Sequence, residues 1–253
     1  AEIEAGIAEM RAIRETTEKQ LGKEVVEMVR QSTVTILSKA NGQYARFLGV
    51  LSHGSIYTVK HGLVPGDTET SAKSKGNQTQ AELCIIDNKD NLIIPKAVEV
   101  AINIDLAVIR IQADESLPSA PLRSVSSLAL SERVYIVGSQ SRESGRLETF
   151  TDGGIYLSRE QTRNLLENES MGNEEETEAG IILDYGLPFE RAAGASGSPV
   201  VDADGNVVGL YCGTYFNLGI KLKSDHRTVI PQLNVVRFTG FELATSGKTQ
   251  NTQ

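Results

Sequence analysis

The first thirty residues and the rest of the chain carry different hydrophobic periods. Ile3, Ile7, Met10, Ile13, Leu21, Val25 and Met28 recur at steps of three and four, with a gap around Thr17. Glu and Arg fill the other face, and Glu15 stands four residues before Lys19, a favourable helical pairing. This spacing predicts an amphipathic helix over residues 1–30, weakened or divided at Gly22. Its apolar face has two readings: packing on its own domain, or contact with a protein partner or a second copy of the chain. The spacing is too irregular for a coiled coil.

From Ser32 the period falls to two. STVTILS (32–38), QYARFLGVL (43–51), SIYTVK (55–60), QAELCIID (80–87), LIIPKAVEVA (92–101) and DLAVIRI (105–111) read as six strands. Asn41-Gly42 and Asn88-Lys89-Asp90-Asn91 supply turns between them. After the polar stretch ADESLPSAPLRSVSSLALSE come six more runs: RVYIVGS (133–139), GRLETFTDGGIYLS (145–158), GIILDYG (180–186), SPVVD (198–202), NVVGLYC (206–212) and HRTVIP (226–231). Asp202-Ala203-Asp204-Gly205 marks a hairpin between two of them. Six strands, a linker and six strands predict an all-β fold of two six-stranded antiparallel β-barrels packed side by side. The expected divisions are an N-terminal helical extension (1–31), a first barrel (32–112), a linker (113–131), a second barrel (132–243) and a disordered tail (244–253). The halves share no detectable sequence repeat. Two further stretches, 65–80 and the glutamate-rich 161–180, read as polar loops, the second solvated and partly disordered.

Composition narrows the function classes. The chain has 253 residues, 40% hydrophobic and 23% charged, as a globular protein does. No apolar run approaches the roughly 18–20 residues that cross a bilayer, so no membrane span is expected. A formal charge of −8 argues against general nucleic-acid binding. With only two cysteines, Cys84 and Cys212, and a charged start lacking the apolar core of a signal peptide, a reducing, cytoplasmic setting is the expectation. No metal or cofactor is expected.

Candidate chemistry centres on Gly194-Ala195-Ser196-Gly197-Ser198-Pro199. The glycines allow a sharp turn that brings backbone N–H groups toward a substrate and exposes Ser196 as a nucleophile, though an ordinary Gly/Ser loop has the same composition. Of three histidines, His53 falls in a turn (SHGS) and reads as a surface residue, while His61 ends a strand-like run. Asp105 heads an otherwise apolar strand, a costly place for a carboxylate unless it is hydrogen-bonded; a turn or strand cap is the other reading. Together the three could form a relay, with imidazole taking the serine proton and the carboxylate holding the other ring nitrogen. The order His61…Asp105…Ser196 would place the site between the two halves.

In these residues the chain resembles the trypsin/chymotrypsin-fold serine proteases, and within them the HtrA-type and the viral or bacterial cytosolic branches. The resemblance spans roughly residues 32–238. It includes FLGVLS with SIYTVKHGLV, DLAVIRI, SERVYIVGS, TFTDGGIYLS, GASGSPVVDADGNVVGLYCG, and VIPQLNVVRF as the closing strand and short C-terminal helix. It implies that Ser196 is the nucleophile, His61 the general base and acid, and Asp105 the group orienting His61, with an oxyanion hole from the N–H groups of Gly194 and Ser196. It implies a primary pocket lined by Tyr211, Cys212, Gly213 and Thr214, with Glu190 and His226 as further candidates. The chain departs from the family pattern at Ala195, where trypsin-like enzymes carry Asp, and at Gly62, where many carry Cys. The resulting expectation is a serine endopeptidase acting on protein or peptide substrates. The alternative is an inactive or partner-gated binding or signalling module, docked through its N-terminal helix.

Overall fold

The structure, a computed structural model, describes residues 15–40, 42–63, 82–101, 104–112, 117–141, 147–168, 179–183, 194–218 and 233–241. Residues 15–21 form helix α1 and Lys23–Gln31 form α2. Gly22 between them sits at φ +90°, a backbone conformation that side-chain-bearing residues rarely adopt. The break resets the helical register. An unbroken helix would bury Leu21, Val25 and Met28; instead Leu21, Val26 and Val29 are buried and Met28 is 37% exposed. Residues 1–14 of the expected helix lie outside the described residues.

The first half is a seven-stranded antiparallel sheet. Its strands are β1 (Thr33–Ala40), β2 (Gln43–Ser52), β3 (Ser55–Thr58), β4 (Glu82–Ile86), β5 (Leu92–Ile93), β6 (Pro95–Val100) and β7 (Ala107–Ile111), in the order β5-β4-β1-β2-β3-β7-β6. Six were expected; the run 92–101 is divided because Pro95 has no N–H for a ladder and starts a new strand after Ile94. The two edge strands are therefore consecutive in the chain, which curls the sheet toward closure.

The second half is a closed six-stranded barrel. It comprises β8 (Arg133–Ser141), β9 (Leu147–Leu157), β10 (Ala179–Leu183), β11 (Pro199–Val201), β12 (Val207–Leu218) and β13 (Leu233–Gly240), in the cyclic order β10-β13-β12-β11-β8-β9. The all-β two-barrel architecture is thus present, with one strand not foreseen and one correction. The sixth described strand of the barrel is 233–240, and the expected run 226–231 lies outside the described residues. The short C-terminal helix expected in VIPQLNVVRF is absent among the described residues: Leu233–Gly240 pairs along β12 as a strand, as its β-branched and aromatic residues favour. The stretch 161–180, expected as a loop, begins as helix α3 (Arg159–Asn168). Its start is a reciprocal cap: the Gln161 N–H donates to Ser158 Oγ at 3.2 Å, and the Ser158 N–H donates to Gln161 Oε1 at 2.9 Å. No described helix is long and apolar enough to cross a membrane.

Two cores explain why several second-half strands read as continuous apolar runs. On β8, Val134 and Ile136 face the second barrel's core while Tyr135 and Val137 face a larger core shared with the first sheet and α2. On β12, Val208 and Tyr211 point inward, and Val207, Leu210 and Cys212 outward into the shared core. The linker seals this seam: the Ala120 N–H donates to Leu51 O, the Val207 N–H to Pro121 O and the Val125 N–H to Phe241 O, at 2.8–2.9 Å.

The turn between the fourth and fifth strands of each half is built alike. In Asp87-Asn88-Lys89-Asp90-Asn91, Asp87 Oδ1 accepts the N–H groups of Lys89 and Asn91, and Oδ2 accepts Asn91 Nδ2. In Asp202-Ala203-Asp204-Gly205-Asn206, Asp202 accepts the N–H groups of Asp204 and Asn206 and Asn206 Nδ2 in the same way. Burial pushes the Asp202 carboxyl up, but the bonds from Asn206 and from Arg123, 3.0 Å away, outweigh it and hold the group below its ordinary range.

Candidate active site

His61, Asp105 and Ser196 come from distant parts of the chain and meet at the seam between the halves. His61 lies in the turn after β3, where the Leu63 N–H bonds to Lys60 O at 3.0 Å. Gly62 is needed in this turn: a side chain there would meet the ring of Phe47 at 2.6 Å. Ser38 Oγ also donates to Gly62 O, at 2.6 Å. The position that differs from the family pattern is therefore filled from the side by Phe47.

Asp105 lies just before β7. Its Oδ1 accepts the backbone N–H of His61 at 2.9 Å, and its Oδ2 accepts Nδ1–H of the same residue at 2.5 Å. Holding backbone and ring together fixes the orientation of the imidazole, and a carboxylate acceptor at Nδ1 leaves the Nε2 lone pair free. Nε2 lies 3.0 Å from Ser196 Oγ, a distance at which the hydroxyl donates to the ring. The Asp105 side chain is 14% exposed and that of His61 is 42% exposed, so the carboxylate is sheltered while the imidazole opens to solvent.

The loop bearing Ser196 is tied to both halves. The Leu48 N–H on β2 donates to Ser196 O at 2.7 Å, the Gly197 N–H donates to Tyr211 O at 2.8 Å, and the Tyr211 N–H donates to Ser198 O at 2.8 Å. Ser198 closes a turn on Ala195 O through its N–H at 3.0 Å and its Oγ at 2.5 Å. Room for Ser198 comes from Gly138, where a Cβ would lie 2.2 Å from Ser198 Oγ. Gly194 and Gly197 sit at φ +80° and +82°. A side chain on Gly197 would stand 1.9 Å from Leu48 O, so this glycine is required twice, by its dihedral and by its neighbour. Among the described residues, the N–H groups of Gly194 and Ser196 have no protein acceptor.

Of the other candidates, Tyr211 is 1% and Cys212 3% exposed, on opposite faces of β12 in the two cores. Tyr211 reaches the Ser196 loop through its backbone, and Cys212 Sγ lies 2.9 Å from Thr239 Oγ1. At Gly213 and Thr214 the pairing of β12 with β13 shifts register, which marks bulges beside the Ser196 loop. Glu190 and His226 lie outside the described residues. His53 is exposed in the β2–β3 turn, with Nδ1 2.9 Å from Ser52 Oγ. No described group of His, Cys, Asp and Glu residues is placed to hold a metal ion.

The sequence reading did not single out Arg46, Leu48 or Ser198. Arg46 on β2 carried the same signal as Asp105, a charge at the head of an apolar run.

A sequence model described as a trypsin-like peptidase domain matches residues 49–210, a span that includes His61, Asp105 and Ser196. No curated protein sequence matches the chain. Among solved structures, the HtrA-type protease AlgW with tripeptide is similar at 16% identity and a TM-score of 0.53, over 86% of this chain and 59% of that one. The active form of the Rv3671c protease from M. tuberculosis matches at 18% identity and a TM-score of 0.48, over 85% of this chain and 78% of that one.

Proposed function

The chain belongs to the trypsin-like peptidase family, and we propose that it is a serine endopeptidase in which Ser196, His61 and Asp105 act as one relay through an acyl-enzyme. The observation that carries this reading is the imidazole of His61, bonded at Nδ1 to Asp105 and at Nε2 to Ser196 Oγ. Ser196 Oγ attacks the peptide carbonyl as its proton passes to His61 Nε2; the imidazolium is stabilised by Asp105 and then protonates the leaving amine. Water, deprotonated by the same nitrogen, releases the acyl group. The carbonyl oxygen, negative in the tetrahedral intermediate, is received by the N–H groups of Gly194 and Ser196. Losing one donor of this kind typically costs about 10²–10³ in turnover. Substrates are proteins or peptides, their side chains entering beside Gly213 and Thr214.

An inactive binding module is not favoured. A silent fold has no need to keep an imidazole bonded on both sides with its serine partner accessible. The experiment is labelling with a fluorophosphonate probe, which traps only an activated serine. Wild type should be labelled and Ser196→Ala should not; a folded wild type that stays unlabelled ends the endopeptidase reading, and labelling that survives Ser196→Ala means another nucleophile.

A further inference from the structure

Arg46 makes an arrangement that the relay does not explain. It projects from β2 of the first sheet across the seam. Nη1 donates to Gly194 O at 3.2 Å and Nη2 to Ser139 Oγ on β8 at 3.0 Å. Both acceptors are neutral, and among the described residues Arg46 has no carboxylate partner. Burial pulls its pKa below the ordinary value, so holding the guanidinium here has a desolvation cost that no ion pair among the described residues offsets.

The Gly194 end of the loop shows what the guanidinium does. Every other peptide of the loop is fixed by backbone: Ser196 O by Leu48, Ala195 O by Ser198, the Gly197 N–H by Tyr211. Among the described residues, Gly194 has Arg46 as its one hydrogen-bond partner. Its carbonyl belongs to the peptide lying between the two N–H groups assigned to the oxyanion hole. Gly194 lacks a side chain to limit its dihedrals, and Ala195 has no polar atom with which to hold the turn. With the carbonyl released, rotation about the Gly194 φ and ψ bonds is no longer limited from this side, and the adjoining peptide that carries the Gly194 N–H can turn off the reacting oxygen.

We propose that Arg46 is a positioning residue for the oxyanion hole, locking the Gly194–Ala195 peptide from the opposite barrel so that the N–H groups of Gly194 and Ser196 converge. This rests on the reading of Ser196 as the nucleophile. Arg46 acts through its bond to the loop carbonyl, so its effect falls on the rate of the bond-forming step.

The test is the reaction of the full chain with a fluorophosphonate, whose phosphoryl oxygen occupies the oxyanion hole. Limiting rate (kinact) and half-saturation (Ki) are measured for wild type, Arg46→Met, Arg46→Lys and Ser139→Ala, each beside its urea unfolding midpoint. Arg46→Met should lower kinact about 10- to 100-fold with Ki unchanged, the scale expected when a donor is misplaced by about an ångström. Arg46→Lys, keeping a charged donor, and Ser139→Ala, loosening the fork, should fall between. Methylguanidinium, well below denaturing concentration, should restore part of the Arg46→Met rate. A folded Arg46→Met with wild-type kinact overturns the proposal. So does a loss that tracks the unfolding midpoint across all three variants and resists methylguanidinium, because that is a purely structural role. If Arg46→Met does not fold, the Ser139→Ala rate decides alone. A wild type that is itself unlabelled removes the nucleophile reading, a result distinct from labelled wild type with unaffected variants.

Discussion

Gly197→Ala separates the effect of backbone conformation from that of contact between the barrels. At φ +82° an alanine costs about 1–2 kcal/mol, the price of a left-handed conformation for a residue with a Cβ. The larger effect is steric. The new Cβ would stand 1.9 Å from Leu48 O and 2.7 Å from Leu48 C, so the two backbones must part by more than an ångström. Leu48 cannot move freely, since its carbonyl accepts Thr58 Oγ1 at 2.6 Å and its N–H donates to Ser196 O at 2.7 Å. Breaking one such buried bond costs about 1–3 kcal/mol. Together these amount to a loss of about 2–5 kcal/mol, with Ser196 displaced from His61. Gly54→Ala is the control: it has φ +71° but nothing within 4 Å of a new Cβ, so it should lose only the conformational part, about 1–2 kcal/mol. The assay is urea unfolding of both variants with fluorophosphonate labelling of each. Equal stability losses in the two, or full labelling of Gly197→Ala, would refute the reasoning.

Asp202, held below its ordinary pKa, contributes stability that is present above the unfolded value of 3.8 and lost as pH falls through the lower folded value. Asp202→Asn should therefore be less stable than wild type at pH 7, with the gap closing between about pH 5 and pH 2; a gap that stays constant in unfolding curves over that range contradicts the assignment. Val29, fully buried, and Met28, 37% exposed, report the helical register after Gly22. Val29→Ala should cost about 2 kcal/mol and Met28→Ala less than about 1; the reverse ranking in urea unfolding would restore the unbroken helix.

Much of this fold was legible because period-two alternation and turn chemistry are local. The candidate site was legible because His61 and Asp105 each stand at one end of an apolar run and Ser196 stands in a glycine-flanked loop. Four features were not. The shift of the buried helical face to Val26 and Val29 depends on the dihedral of Gly22, which composition does not supply. Helix α3 was masked by its glutamates, although Ser158-Arg159-Glu160-Gln161 is a capping-box pattern. The matching turns at Asp87 and Asp202 share only their first and last residues, too little for a repeat search, yet both are closed by the same carboxylate-to-asparagine bonds. Arg46 was the most consequential omission, since a lone arginine in a strand declares no partner until the opposite barrel is in place.

Ala195 changes how the loop must be held. Its side chain is fully buried in the second barrel's core, in the same cluster as Phe150, Val200 and Phe238, so it contributes apolar packing and no hydrogen bond. The polar anchors lie instead on either side of it and come from both halves: Leu48 and Arg46 from β2, Tyr211 from β12, Ser198 from the loop itself. His61 and Asp105 also belong to the first half, so the distance from Nε2 to Ser196 Oγ and the anchoring of the loop depend on the same seam. A shift of one barrel against the other would strain the Leu48–Ser196 bond, the Arg46–Gly194 bond and the His61–Ser196 bond together. Contacts from the first half thus help hold the loop where the family's Asp is missing, and the proposed role of Ser196 as nucleophile ties its activity to how the two halves are packed.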